Sequence, residues 1–205
     1  MSARVRRAPL PVRWFVANAA PLLFVALVAA AVNGRGHDST IAMVGHLTLV
    51  LSAAALQALV LQGHGVAPWR WMLATVAGFA IGLMFGVGLF ATLDGLGHET
   101  MGMGLGMALL GTALGGTQSL ALGRGRARGA IWTAGSAAAW LAFGLLWLAG
   151  WHYAHGAVSA RGALAPLARL YETGNAELLL LAVGLAGYGL LTGALLSRVL
   201  REDAI

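Results

Sequence analysis

The sequence predicts an all-α protein, a bundle of six transmembrane helices, on three observations. Only 10% of its 205 residues are charged, against 59% hydrophobic, and mean hydropathy is +0.80. A soluble domain carries about a quarter charged residues and avoids so much exposed apolar surface. Six apolar runs each approach the roughly 20 residues that a helix needs to cross the hydrocarbon core. They cover residues 14–32, 41–61, 71–93, 105–122, 131–151 and 177–196, within a single transmembrane domain spanning 1–205. Unpaired amides are intolerable in lipid, and the runs lack the period-two alternation of barrel strands, so they are read as helices.

Arginine fixes the expected direction of the first span and its successors. With the N-terminus inside, inner segments hold Arg4, Arg6, Arg7, Arg13, Arg70, Arg124, Arg126, Arg128, Arg198 and Arg201; outer segments hold only Arg35, Arg161 and Arg169. This inside excess places both termini in the cytoplasm. Arg4 to Arg13 followed by an apolar run resembles a secretory signal, but that run exceeds a typical signal core, so an uncleaved first helix is expected. All basic residues are arginine, and Ala and Gly abound, a pattern of GC-rich bacterial coding; the expected location is the bacterial cytoplasmic (inner) membrane. The arginines are scattered at the ends of apolar runs, which argues against a nucleic-acid partner. With no cysteine, disulfides and thiolate chemistry are excluded.

The second and third spans introduce a pattern that the fourth and fifth repeat. Trp14, Ala17 and Ala20 share their spacing with Trp71, Ala74 and Ala77, and with Trp132, Gly135 and Ala138. Gln57 precedes Trp71 as Gln118 precedes Trp132, and each Gln is followed by x-Leu-x-Leu. Spans two-three and four-five therefore read as copies of one hairpin in the same orientation, related by an axis along the membrane normal. Spans six and one would complete a circularly permuted third unit, with Thr192-Gly193 standing where the fourth span has Thr117-Gln118. The simpler reading is that the tryptophans mark the inner interface, where amphipathic rings belong. Gln57 and Gln118 are expected to hydrogen-bond between helices, as structural glue or as a polar gate.

These pieces, Gln57 to Trp71 and Gln118 to Trp132, resemble uncharacterised bacterial multi-pass proteins that repeat a Gly-rich helix, a Gln, an Arg-rich turn and a Trp-led helix. The resemblance covers about two thirds of the chain and implies no reaction. The sequence departs from it where Ala58 and Ser119 follow the glutamines in place of tryptophan.

Within span three, Gly78, Gly82 and Gly86 share one helix face; Gly102 and Gly106 lead into span four, and Gly189 and Gly193 lie on span six. Membrane helices associate by close backbone contact at small residues, so these faces serve either the bundle or a partner subunit.

Polar groups gather at the outer side. His46, His152 and His155 are the leading candidates for a haem or transition-metal site, with His37 and His98 as further ligands and Met43, Met101, Met103 and Met107 as soft copper donors. The simpler reading is that outer loops need polar residues. No Asp, Glu, Lys or Arg falls at the centre of a predicted span, where ion-coupled carriers keep them, and Pro21 is the only proline inside a span. Between spans five and six, residues 163–172 carry Leu164, Leu167, Leu170 and Tyr171 at helical spacing, which predicts a short amphipathic helix on the outer interface.

The function expected from sequence alone is a non-catalytic accessory or scaffold subunit of a larger respiratory or photosynthetic membrane complex, with lipids and partner subunits around it. The alternatives are a small transporter or channel with a His/carboxylate outer vestibule, and a haem or metal redox protein.

Overall fold

A computed structural model describes residues 8–32, 39–154 and 176–201, with side chains described over 8–21, 48–149 and 187–200. Six helices are present among the described residues: α1 Leu10–Val32, α2 Ser39–Gln62, α3 Pro68–Gly95, α4 Glu99–Leu122, α5 Arg126–Ala154 and α6 Ala176–Arg201. Three stretches in the described residues, Pro68–Gly95, Glu99–Leu122 and Arg126–Ala149, are long and apolar enough to cross a membrane. The expected outer helix at 163–172 lies outside the described residues.

Every helix extends beyond its apolar run, because backbone hydrogen bonding continues into polar and glycine-rich flanks. α3 starts early at Pro68, whose fixed φ and missing N–H suit a first helical turn. α4 starts at Glu99, a carboxylate in the first turn where the helix dipole favours it. Its glycine-rich start is helical because Gly102 and Gly106 lie against Phe90 and Gly86 of α3. α4 ends at Gly123, whose left-handed φ of 63° lets its amide donate to the Ser119 carbonyl.

Each helix packs against its two chain neighbours, and α6 packs back against α1, so the described residues form a closed ring in the order α1 to α6. Among the described residues the helix backbones approach one another only around the ring, and contact across it is made by side chains, Trp14, Trp71 and Trp132 of alternate helices. Small residues make the seams. A Cβ built on Gly78 would lie 2.7 Å from Leu114 Cα, and one on Gly82 would lie 2.8 Å from Leu110 Cα. One on Gly86 would lie 2.5 Å from the Gly106 carbonyl oxygen. The opposite face of α4 meets α5 in the same way, with Gly111 against Ala137 and Gly115 against Thr133. Gly189 and Gly193 of α6 receive Asn18 and Trp14 of α1. The outward faces carry large apolar side chains, among them Leu73, Met84, Phe85 and Val87 of α3. The polar side chains Asn18, Gln57, Thr75, Gln118, Ser136 and Thr192 are buried. Greasy outside and polar inside is the distribution lipid imposes.

Gly82→Ile is expected to force α3 from α4 and lower stability by about 1–3 kcal/mol. Gly88→Ala, whose Cβ would meet nothing within 4 Å, is expected to leave it unchanged or slightly raised. Thermal unfolding of both variants in one detergent checks this.

Candidate functional site: a tryptophan triad beneath an axial chamber

Trp14, Trp71 and Trp132 lie near the starts of α1, α3 and α5, and therefore at one end of the ring. All three are fully buried. Their ring centroids are 5.7 Å apart for Trp14–Trp71, 6.0 Å for Trp14–Trp132 and 6.1 Å for Trp71–Trp132. Two contacts are edge-to-face and the third is tilted, arrangements that place ring edges against neighbouring π faces. Interfacial marker rings would instead be half wet. Trp69 contrasts with them: it is 64% exposed and carries the Arg70 guanidinium 5.3 Å from its ring centre.

Each buried indole donates its N–H to the helix preceding it in the ring. Trp71 donates to Gln57 Oε1 at 3.1 Å, Trp132 to Gln118 Oε1 at 3.2 Å, and Trp14 to Thr192 Oγ1 at 3.0 Å. The glutamines reach further. Gln57 Nε2 donates to Asn18 Oδ1 at 2.8 Å, and Gln118 Nε2 to Thr75 Oγ1 at 3.0 Å. Asn18 and Thr75 each sit one turn after a triad tryptophan, and Ser136 holds the same place after Trp132. On α6 the acceptor is Thr192, where α2 and α4 each offer a glutamine. It accepts from Trp14 and donates to its own helix at the Tyr188 carbonyl, 2.7 Å away. Ser136 Oγ and Trp140 Nε1 are buried without a well-aligned hydrogen bond, and both lie beside the Tyr188 hydroxyl.

Sequence reasoning singled out Gln57, Gln118 and the three tryptophans, and the structure brings all five into one layer. It missed Asn18, Thr75 and Ser136, whose signal is a small polar residue four positions after each tryptophan. It paired Gly193 with Gln118, whereas the group that accepts the Trp14 N–H is Thr192, one residue earlier.

On the polar layer rests a chamber of about 300 Å³, walled by residues from all six helices. Asn18, Gln57, Thr75 and Gln118 form its floor, and Phe79, Trp140, Phe143, Trp147 and Tyr188 give it aromatic walls. Trp140 packs edge-on to Phe143 at 5.5 Å and lies 5.4 Å from the Tyr188 ring. No Asp, Glu, His or Arg is among the described lining residues. The chamber therefore offers hydrogen bonds and π surface.

The candidate metal ligands are placed as follows. His37 and His155 lie outside the described residues. His46 and His152 fall within α2 and α5, outside the stretches whose side chains are described. His98 is exposed at the start of α4, between Asp94 and Glu99, at the end opposite the triad. Among the described residues no group of three or more His, Asp or Glu side chains is placed to hold a metal ion.

At the triad end the turns after α2 and α4 are tied by Arg124 Nη2, which donates to the His64 carbonyl at 2.7 Å. Partial burial, and then the Arg13 and Arg124 charges, hold the His64 imidazole below its ordinary pKa of 6.5.

No protein-family model, no curated protein and no solved structure matches this chain.

Trp71→Phe keeps a ring but leaves Gln57 Oε1 without its donor, and is expected to cost about 1–3 kcal/mol; the exposed Trp69→Phe should cost less than about 0.5 kcal/mol. Chemical denaturation in mixed micelles measures both. The His64 shift gives a second expectation. The folded chain resists protonation that the unfolded chain accepts at 6.5, so the stability contribution is present above that value and is lost as pH falls below it. Melting temperature should drop between about pH 7.5 and 5.5, and His64→Gln should flatten the drop.

Proposed function

We propose that all six helices cross the bacterial inner membrane with the triad end cytoplasmic, and that the ring holds a neutral, lipid-soluble small molecule in its axial chamber. The protein is then a membrane-embedded binding protein of the small-transporter class, plugged toward the cytoplasm by three tryptophans. One observation carries this reading: every helix of the ring contributes to a chamber that has a polar floor and apolar walls. Its volume falls at the lower end of the roughly 300–1,000 Å³ of small-molecule pockets. The expected direction is supported by Arg13, Arg70, Arg124, Arg126, Arg128 and Arg198, all near the triad end, whereas Asp94 and Glu99 stand at the other.

The hairpins α2–α3, α4–α5 and α6–α1 are proposed as three units around one axis. What supports this is the recurrence of tryptophan, its hydrogen-bond acceptor on the preceding helix, and a small polar residue one turn after it. The accessory-subunit reading drew on glycine faces as docking surfaces, but Gly78, Gly82, Gly86 and Gly106 are covered by helices of the same chain.

Ala53, on the chamber wall, offers the test. Nanodiscs holding the protein should take up the neutral fluorophore N-phenyl-1-naphthylamine saturably, and Ala53→Trp, which fills the chamber, should abolish that uptake. Equal uptake by both proteins, or recovery from native membranes only with a stoichiometric protein partner, would defeat the proposal. Since the chain has no native cysteine, single cysteines at Arg126 and Leu96 report direction. Arg126→Cys should label from the cytoplasmic side and Leu96→Cys from the other.

A further inference from the structure

The polar floor of the chamber keeps donor protons that no described side chain accepts. Each amide nitrogen carries two protons. Asn18 Nδ2 uses one on the Trp14 carbonyl at 2.8 Å, Gln57 Nε2 uses one on Asn18, and Gln118 Nε2 uses one on Thr75. Each therefore keeps a second N–H. Each amide oxygen already accepts one hydrogen bond, Gln57 Oε1 from Trp71, Gln118 Oε1 from Trp132 and Asn18 Oδ1 from Gln57, and a second lone pair left unserved costs less than an orphan N–H. The three side chains are at least nine-tenths buried, with Asn18 6% exposed, Gln57 5% and Gln118 1%. Bulk water does not serve these protons, and a buried donor without a partner is costly.

Resting on the chamber reading, we propose that the occupant is a neutral molecule with carbonyl oxygens at one end of a flat apolar body, of the quinone class. The oxygens take the spare N–H groups of the floor. The flat body lies among Phe79, Trp140, Phe143 and Trp147, which offer π faces and edges. An anion would be attracted to the donors, but no cation among the described lining residues offsets the desolvation of its charge. A hydroxyl-rich ligand would bring further donors, for which the floor has only the second lone pairs of oxygens already bonded once. A crevice of about 100 Å³ between α3 and α4 shares Leu83, Met107 and Leu110 with the chamber and is lined otherwise by Gly82, Gly86 and Phe90 among others, so an apolar tail has a place to run.

Two probes of similar shape separate this inference from the reading beneath it. Binding of 2-methyl-1,4-naphthoquinone and of 2-methylnaphthalene is measured by equilibrium dialysis on the full chain in nanodiscs. Ala53→Trp nanodiscs provide the correction for partition into lipid. The quinone is expected to bind about tenfold tighter or more, the increment of one or two added hydrogen bonds. Equal affinities would overturn the carbonyl preference while leaving the chamber as a binding site. Binding of neither probe above the Ala53→Trp blank would remove both. Asn18→Leu, which deletes a floor donor, should weaken the quinone several-fold and leave the hydrocarbon unchanged. If that variant does not fold, the comparison of the two probes on the wild-type chain still decides.

Discussion

Three indole N–H groups, each buried and each handed to a side-chain oxygen on the neighbouring helix, hold the ring closed at one end. In water such a cluster would be held mainly by the hydrophobic effect. In lipid that drive between helices is absent, and what remains is dispersion, hydrogen bonding and shape. The triad uses all of these at one level of the bundle: interlocked rings, donors satisfied in low dielectric, and glycine seams that let the helices approach. The seams and the layer depend on each other. Gly189 and Gly193 bring α6 close enough to α1 for Thr192 to reach Trp14, and Gly78 and Gly82 hold α4 where Gln118 meets Thr75.

The same layer has two faces with opposite chemistry. Toward the arginine-rich end it is aromatic and sealed. Toward the chamber it presents amide groups whose oxygens each accept one hydrogen bond and whose nitrogens each keep one proton unused. The hydrogen bonds that pin the tryptophans thereby decide what the chamber floor can offer, since each Gln oxygen turned to an indole leaves its NH₂ to face the remaining partners. Stability and recognition are thus two results of one arrangement of amides.

Much of the fold was legible in the sequence, and the reasons are physical. Apolar runs such as 71–93 report helices because lipid leaves the backbone no other solution. Helix ends were less legible: α4 begins at Glu99, ahead of the apolar run, because its glycines gain from close contact with α3, and hydropathy does not register such contact. Gln57 and Gln118 stood out because an amide in an apolar helix is rare, and their spacing to Trp71 and Trp132 is the same. Asn18 and Thr75 did not, since one small polar residue reveals nothing of a partner 39 or 43 residues away. Thr192 did not stand out as the acceptor for Trp14, because a threonine has no side-chain likeness to the two glutamines. The chamber was wholly illegible: its walls are ordinary Leu, Phe and Trp, and only the closure of the ring makes them a lining.

The hydrogen bond from Trp14 to Thr192 joins residues 178 positions apart. During synthesis α1 emerges carrying an indole whose acceptor has yet to be translated. That joint of the ring accordingly stays open until α6 follows, so its closure is a latching event between an earlier and a later helix. A defect in α6 would expose that orphaned donor to the proteases that survey membrane proteins, so turnover of the polypeptide reports whether the latch has been made.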